Sequence, residues 1–347
     1  MNGKATAKRV LVTGGAGFIG SNFVRHVLKT HSDWTVTVVD LLTYAGNMEN
    51  LRDLLPGPRI EFVKADIVDQ EGMTALLGKG FDYVFHFAAE THVDRSIQDP
   101  QAFIRTDVIG TYSLLEAVRR HPVDRFVHVS TDEVYGSLSE GSAGEDAPLM
   151  PTSPYAASKA GADRLAFSYH RTYGIPIVIL RPSNNFGPHQ HPEKLIPLFI
   201  TNALTDRPLP LYGDGLNVRD WLYVRDHCEA IDLIAREGET GAVYNIGAES
   251  ERTNLEVTEA ILDHLGKPRS LIKRVKDRPG HDRRYSVDWA RLKKIGWTPG
   301  TNFRQALRET IDWYVSNQSW WKKIKSGEYA AYYEKQYGAD THHRPSP

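Results

Sequence analysis

The stretch Val10-Leu11-Val12-Thr13-Gly14-Gly15-Ala16-Gly17-Phe18-Ile19-Gly20 decides the fold. An apolar run of strand type leads into glycines at 14, 17 and 20, and a helix-like stretch spans Phe18 to Leu28. Glycine lets such a turn be tight and lets backbone amides approach a pyrophosphate, which then rests on the positive end of the helix. The next apolar run, Val36-Thr37-Val38-Val39-Asp40, ends in an acid 20 residues beyond Gly20. A carboxylate there can accept hydrogen bonds from both hydroxyls of a ribose and repels a 2′-phosphate. Strand, glycine turn, helix, strand and acid together predict a Rossmann-type nucleotide site that takes NAD in preference to NADP.

Outward from this unit, strand-like runs continue at Thr35–Asp40, Ile60–Lys64, Tyr83–Phe87, Phe126–Ser130 and Ile177–Leu180, with room for crossover helices between them. That alternation calls for a parallel sheet covered on both faces, with ligands gathering beyond the carboxyl ends of its strands. After Arg181 the pattern loosens. Six prolines fall between Pro182 and Pro210, and a helix is predicted only from Glu193 to Thr205. A strand at Ala242–Ile246 is assigned back to the sheet, while helices at Asn254–Leu265 and Phe303–Gln318 are expected to build a second lobe. The aromatic, lysine-rich stretch Trp320 to Tyr337 reads as a terminal helix packed against that lobe. The expected class is α/β: a Rossmann-type doubly wound parallel sheet with a smaller mixed α/β C-terminal substrate lobe. Residues 1–185, with a returning segment near 220–250, would bind NAD; residues 186–219 and 251–340 would form the substrate lobe, and 341–347 a disordered tail.

Hydrophobic residues make up 41% of the 347 and charged residues 24%, the balance of a packed core in water. A formal charge of -1 gives no electrostatic case for nucleic acid or an anionic membrane. No apolar stretch approaches bilayer-spanning length. Cys228 is the single cysteine, so no intrachain disulfide can form and multi-thiolate zinc sites are excluded. No metal site is expected, His342-His343 reads as surface tail, and a reducing cytoplasm fits best. Cys228 lacks an activating partner and reads as a packed helix residue, as His86 reads as structural.

Tyr155 and Lys159 stand four apart in a helix-like segment, which puts both side chains on one face a turn apart. A phenol of pKa ~10 is a poor base at neutral pH. A neighbouring ammonium, aided by a positive nicotinamide ring, is expected to stabilise the phenolate and draw that pKa down. Any helix can carry such a pair by chance; Thr131, a hydroxyl at the end of the fifth strand, favours the catalytic reading because it can bond the oxygen that Tyr155 deprotonates.

These residues resemble the extended short-chain dehydrogenase/reductases, and within them the nucleotide-sugar 4,6-dehydratases, most closely those acting on dTDP-glucose. The likeness runs from about Arg9 to Gly338. Beyond the glycine turn its most specific stretches are Thr131-Asp132-Glu133-Val134-Tyr135-Gly136, Ser183-Asn184-Asn185-Phe186-Gly187-Pro188, Pro192-Glu193-Lys194-Leu195-Ile196-Pro197, Arg219-Asp220-Trp221-Leu222-Tyr223-Val224 and Arg278-Pro279-Gly280-His281-Asp282-Arg283-Arg284-Tyr285. The resemblance implies an NAD-dependent hydro-lyase. It would convert dTDP-glucose to dTDP-4-keto-6-deoxyglucose and water by oxidation at carbon 4, elimination across carbons 5 and 6, and hydride return to carbon 6. Tyr155, aided by Thr131 and Lys159, would take the proton of the carbon 4 hydroxyl. Glu133 would take the carbon 5 proton, and a protonated Asp132 would help the carbon 6 hydroxyl leave. Two adjacent carboxyls can divide this work if their environments push their pKa values apart. Outside this context, Asp-Glu after a strand is a solvated turn or a helix cap.

Matched position by position, NAD contacts would come from Gly14, Gly17, Phe18, Ile19, Gly20, Asp40, Leu42, Thr43, Asp66, Ile67, Ala88, Ala89, Thr106, Tyr155, Lys159 and Asn185. Substrate contacts would come from Thr91, His92, Thr131, Asn184, Lys194, Leu195, Pro210, Tyr212, Arg219, Asn254 and His281. Arg219 can grip a diphosphate in bidentate fashion and Lys194 adds a point charge, although either could be a surface ion pair. His92 could equally be satisfied by backbone. Leu41 stands where lysine is frequent, Asp107 where asparagine is usual, and His189 and His191 where aromatics are frequent; the histidines bear on base and sugar identity. Thymine and uracil differ by one methyl, worth only ~1–3 kcal/mol in an apolar pocket. A UDP-sugar dehydratase therefore stays open, as do a nucleotide-sugar 4-epimerase or decarboxylase of the same fold and a non-catalytic NAD sensor. The resemblance also implies a homodimer joined by a four-helix seam, with Pro100–Arg120 and Pro154–Tyr173 as the helices.

Overall fold

The computed structural model describes residues 7–326, 332–333 and 335–337. In chain order its strands are β1 (Arg9–Thr13), β2 (Thr35–Asp40), β3 (Ile60–Lys64), β4 (Tyr83–His86), β5 (Arg125–Val129), β6 (Ile177–Pro182), β7 (Asn184–Phe186), β8 (Leu209–Tyr212), β9 (Val218–Tyr223), β10 (Val243–Ile246), β11 (Glu251–Thr253) and β12 (Ile272–Val275). Its helices include α1 (Phe18–Thr30), α2 (Gln70–Leu77), α3 (Val93–Gln98), α4 (Pro100–Phe103), α5 (Gly110–Arg120), α6 (Pro154–Tyr173), α7 (Leu195–Ala203), α8 (Val224–Glu237) and α9 (Asn254–Leu265).

Seven strands form one parallel sheet in the order β10-β6-β5-β4-β1-β2-β3. Both faces are buried because side chains alternate along each strand. Val10 and Val12 join a core shared with Phe23 of α1 and Ile231 of α8, while Leu11 between them joins a core shared with Met73 of α2, Leu114 of α5 and Ala166 of α6. This is the doubly wound α/β architecture expected, with the strand at Ala242–Ile246 present as β10 on the sheet edge. Strand order reverses between β1 and β4, so a crevice opens beyond the carboxyl ends of those two strands.

Past β6 the chain is more strand-rich than expected. β9 pairs with β7 in parallel and with β11 antiparallel, and β8 pairs with β12 in parallel. These short strands carry Pro210, Arg219 and Asp220 and show no apolar alternation, so only their pairing partners reveal them. The helix expected at Glu193–Thr205 is α7, Leu195–Ala203, and that expected at Phe303–Gln318 is α10 (Phe303–Ser316), followed by α11 (Gln318–Ile324). Trp320 of α11 does more than pack on the second lobe: its indole N–H donates to Asn50 Oδ1 at 2.9 Å in the first half of the chain. The expected tail at 341–347 lies outside the described residues.

The segment Pro100–Arg120 is not one α-helix. A π-helical stretch, Ile104–Ile109, separates α4 from α5. Pro154–Tyr173 is continuous as α6, started by Ser153, whose hydroxyl accepts the Ala156 N–H at 3.1 Å. His86 is buried between the hydroxyls of Thr13 and Thr111, and Cys228 is buried on α8. Among the described residues no helix is long and apolar enough to cross a membrane, and no group of three or more His, Cys, Asp or Glu could hold a metal ion.

Candidate active site

A cavity of about 1240 Å³ opens beyond the ends of β1, β2 and β4. Of the residues matched to a cofactor, Gly14, Gly17, Phe18, Ile19, Gly20, Asp40, Thr43, Asp66, Ile67, Ala88, Ala89, Thr106, Tyr155 and Lys159 line it. Gly14 has φ +70°, and a Cβ there would sit 2.6 Å from the Ala88 amide nitrogen; a Cβ on Gly20 would strike the Gly14 carbonyl. Asp40 closes the far end. Its two oxygens accept the backbone N–H groups of Ala16 at 3.0 Å and Leu42 at 2.8 Å, and burial pushes its carboxyl up against the pull of those amides. Leu42 contributes that amide and stands outside the lining. Asn185 lines a second cavity instead, with its amide NH₂ on the Ser183 carbonyl and its Oδ1 2.8 Å from His227 Nδ1.

At the end of β5, Thr131 caps a 3-10 turn, Asp132–Tyr135, its hydroxyl accepting the Glu133 N–H at 3.3 Å. The turn splits the acid pair. Asp132 is 2% exposed, one of its oxygens has no hydrogen-bond partner, and burial, reinforced by Glu133, pushes its carboxyl well above the carboxylate range. Glu133 instead lines the second cavity, with the Tyr285 hydroxyl donating to it at 3.4 Å. Lys159 is buried and donates to the Val129 carbonyl at 2.7 Å; burial lowers its pKa. Within the protein alone, the Tyr155 phenol is raised. Loss of hydration, then the charges of Glu133 and Asp107, push it well above 10, and the Thr131 hydroxyl only partly offsets them. Sequence spacing put the ammonium a turn away but could not weigh burial against it.

The second cavity, about 930 Å³, is lined by His92, Asn184, Lys194, Leu195, Pro210, Tyr212, Arg219, Asn254 and His281 of the residues matched to substrate, while Thr91 lines the first cavity. Thr131 lines neither. Gln190, Glu193 and Lys194 line both cavities and form the partition between them. Arg219 on β9 is 5% exposed; it donates to the carbonyls of Val218 at 2.7 Å and Asp282 at 2.9 Å and lies over the Tyr285 ring. It is a buried cation, not a surface ion pair. His92 is buried beside the Tyr332 hydroxyl at 3.3 Å, and burial holds its imidazole neutral, down to about 4. His281 is likewise pushed down to about 4 by burial and sits 2.5 Å from Asp277. The Tyr212 hydroxyl donates to Asp94 at 2.9 Å.

Sequence reasoning gave no role to Glu193, Arg278 or Tyr285, which shape this second cavity and its acid. Arg278 pairs with Asp94 at 3.0 Å and Glu193 with Arg95 at 3.1 Å. Their signal was present, since all three sit in the quoted motifs, but the partners lie some 98 and 184 residues away in sequence.

Comparison with known proteins agrees with this geometry. A family model described as GDP-mannose 4,6 dehydratase matches residues 11–310. A dTDP-glucose 4,6-dehydratase of Streptomyces niveus is 49% identical over 93% of this chain and 97% of its own. The crystal structure of DesIV, a dTDP-glucose 4,6-dehydratase from Streptomyces venezuelae with NAD bound, superposes with a TM-score of 0.89 at 51% identity, covering 91% of this chain and all of that one. A Thermus thermophilus UDP-glucose 4-epimerase in complex with NAD is more distant, with a TM-score of 0.83 at 35% identity over 89% of this chain and 99% of its own.

Proposed function

The chain belongs to the GDP-mannose 4,6 dehydratase family, and from that membership we propose that it is an NAD-dependent dTDP-glucose 4,6-dehydratase, forming dTDP-4-keto-6-deoxyglucose and water. The observation that carries the reading is the split acid pair: one carboxyl buried and pushed well above the carboxylate range, its neighbour open to the second cavity, on the same turn as Thr131. An epimerase has no use for a proton-loaded acid at that place.

The residues of the first cavity fit NAD. With no room for a Cβ at Gly14 or Gly20, the amides of the turn stay open to a pyrophosphate at the start of α1. Asp40 uses two acceptor positions on backbone amides and retains others for ribose hydroxyls. When bound, NAD supplies the two-electron oxidation at carbon 4 and the matching reduction at carbon 6. Its positive ring would favour the Tyr155 phenolate against the burial that raises the phenol.

Tyr155 removes the carbon 4 hydroxyl proton, with Thr131 holding the same oxygen. The ketone acidifies carbon 5, whose proton Glu133 takes, and Asp132 gives its proton to the departing carbon 6 hydroxyl. Once carbon 6 is reduced Glu133 returns a proton to carbon 5, and the proton taken by Tyr155 passes through solvent to restore Asp132. Arg219 and Lys194 hold the diphosphate, with Tyr212, Asn254 and His281 around the base. Residues 1–185 with the return near 220–250 form the NAD-binding unit, and 186–219 with 251–340 the nucleotide-sugar unit. The protein works as a homodimer in a reducing cytoplasm. Supporting the dimer, Ile97, Ile104, Ile109, Tyr112, Phe167 and Tyr173 stand exposed on the α3–α6 face, where a second copy would bury them. Sedimentation of Ile104→Glu should then give monomer.

The direct test is dTDP-glucose carrying deuterium at carbon 4. Product lighter by one water with deuterium at carbon 6 is expected; unchanged mass, or label lost to solvent, rejects the reading. The UDP, GDP and CDP sugars run in parallel check the base.

A further inference from the structure

Between α4 and α5 the chain winds as a π-helix, and this stretch carries Asp107, which is 1% exposed. The Asp107 carboxylate is tethered at both oxygens. It accepts the Ser158 hydroxyl at 2.6 Å and the Glu90 backbone N–H at 2.9 Å. Ser158 immediately precedes Lys159 on α6, and Glu90 lines the first cavity, so the carboxylate joins the cavity wall to the helix that bears Tyr155 and Lys159.

A buried acid in such a place is normally neutralised by a cation, and the other acid near Lys159 is. Asp163 is clamped by Arg181 at 2.8 and 3.0 Å and by Arg164. Asp107 has no ion pair within the described residues, and its charge acts instead on Lys159 and Tyr155. The other groups facing that pair are Asp132 and Glu133 from the turn after β5, Asp163 from α6, and His86 and His128 from β4 and β5, both kept neutral by burial.

We propose that Asp107 is a positioning residue whose tethered negative charge sets the pH range in which the Tyr155–Lys159 pair exchanges the substrate proton. The inference rests on Tyr155 being the base. A negative charge makes every nearby proton harder to remove, so deleting it moves both limbs of the pH–rate profile the same way. Tyr155 then ionises at lower pH and Lys159 loses its ammonium at lower pH. Asp107 itself is pushed up to about 6 by burial against the pull of Lys159 and its two tethers, so its influence vanishes in acid and is complete above neutrality.

Asp107→Asn separates charge from geometry. Its amide oxygen can accept the Glu90 N–H while its NH₂ donates to the Ser158 hydroxyl. The experiment measures kcat/KM of the NAD-loaded enzyme for dTDP-glucose across the pH range of folding, and titrates the phenolate by ultraviolet difference absorbance with Tyr155→Phe as blank. Both limbs and the phenolate titration should move toward acid by about one pH unit in Asp107→Asn. Asp107→Ser carries the same expectation should the first variant not fold. Ser158→Ala, which keeps the charge and drops a tether, should lower kcat without moving either limb. A slower Asp107→Asn enzyme with an unmoved profile and titration overturns the inference and leaves Asp107 a packing residue. Full activity in Tyr155→Phe is a different result: it removes the base itself, and the proposed mechanism with it.

Discussion

The two cavities share a partition and almost nothing else. The first is made largely of backbone and apolar side chains at the ends of successive parallel strands, and nearly all of it lies between Gly14 and Lys159. The second draws on side chains from His92 to Tyr337 and is furnished with charge: Arg219 and Glu193 buried, Lys194 and Arg278 half-buried. A cofactor that stays through every turnover suits a site whose shape is fixed by glycine and sheet geometry. A charged substrate that must enter and leave suits one whose grip is side-chain charge, held ready by hydrogen bonds to carbonyls. The groups proposed to react are divided between them, Tyr155 and Lys159 lining the first and Glu133 the second.

That contrast can be broken most forcefully at the junction. Tyr155→Phe should cost about 10³-fold in keto-sugar formation. Calorimetry should find dTDP binding unchanged; weakened binding would mean the cavities are not separable. Asp132→Asn should cost about 10²-fold in water loss while reduced cofactor still appears at carbon 4 oxidation, seen by its near-ultraviolet absorbance. Because burial raises the Asp132 carboxyl, it keeps its proton at neutral pH, and water loss should decline as pH rises through that raised value. The variant should lose this part of the alkaline decline and keep only the part set by Lys159; a profile unchanged from the parent would point to another acid.

Within the first cavity, Gly20→Ala forces a methyl against the Gly14 carbonyl and should cost about 1–3 kcal/mol, read as a lower Tm and protein purified without NAD. Full NAD content would show that the turn has slack. Within the second cavity, Arg219→Lys should raise KM about 10-fold through loss of bidentate contact, with kcat and bound NAD preserved. A fall in NAD content there would contradict the division of labour.

Much of the first cavity was legible because its signals are local. Three glycines, a strand on either side and an acid after the second strand occupy some thirty consecutive residues, and each has a meaning that survives without knowledge of the rest. The strands β7, β8, β9, β11 and β12 were not legible, since three to six residues broken by a proline, by two charges or, in β7, by two asparagines carry no periodicity. Nor was the break in Pro100–Arg120, because π-helical winding leaves the residue spacing of an α-helix in the sequence and shows only when Asp107 finds Ser158 and the Glu90 amide.

The sequence by itself determined the parallel sheet, the glycine turn and the residue types of the chemistry, since alternation, glycine spacing and an i, i+4 pair all act over a few residues. Only the tertiary structure decided that Asp132 is buried with its carboxyl pushed up while its neighbour faces a cavity, that burial raises the Tyr155 phenol, and that Arg219 is buried. Those are properties of burial, and the free energy of a charge depends on how much water and which distant charges surround it. That environment is created by chain segments a hundred or more residues apart, and no local pattern encodes their meeting.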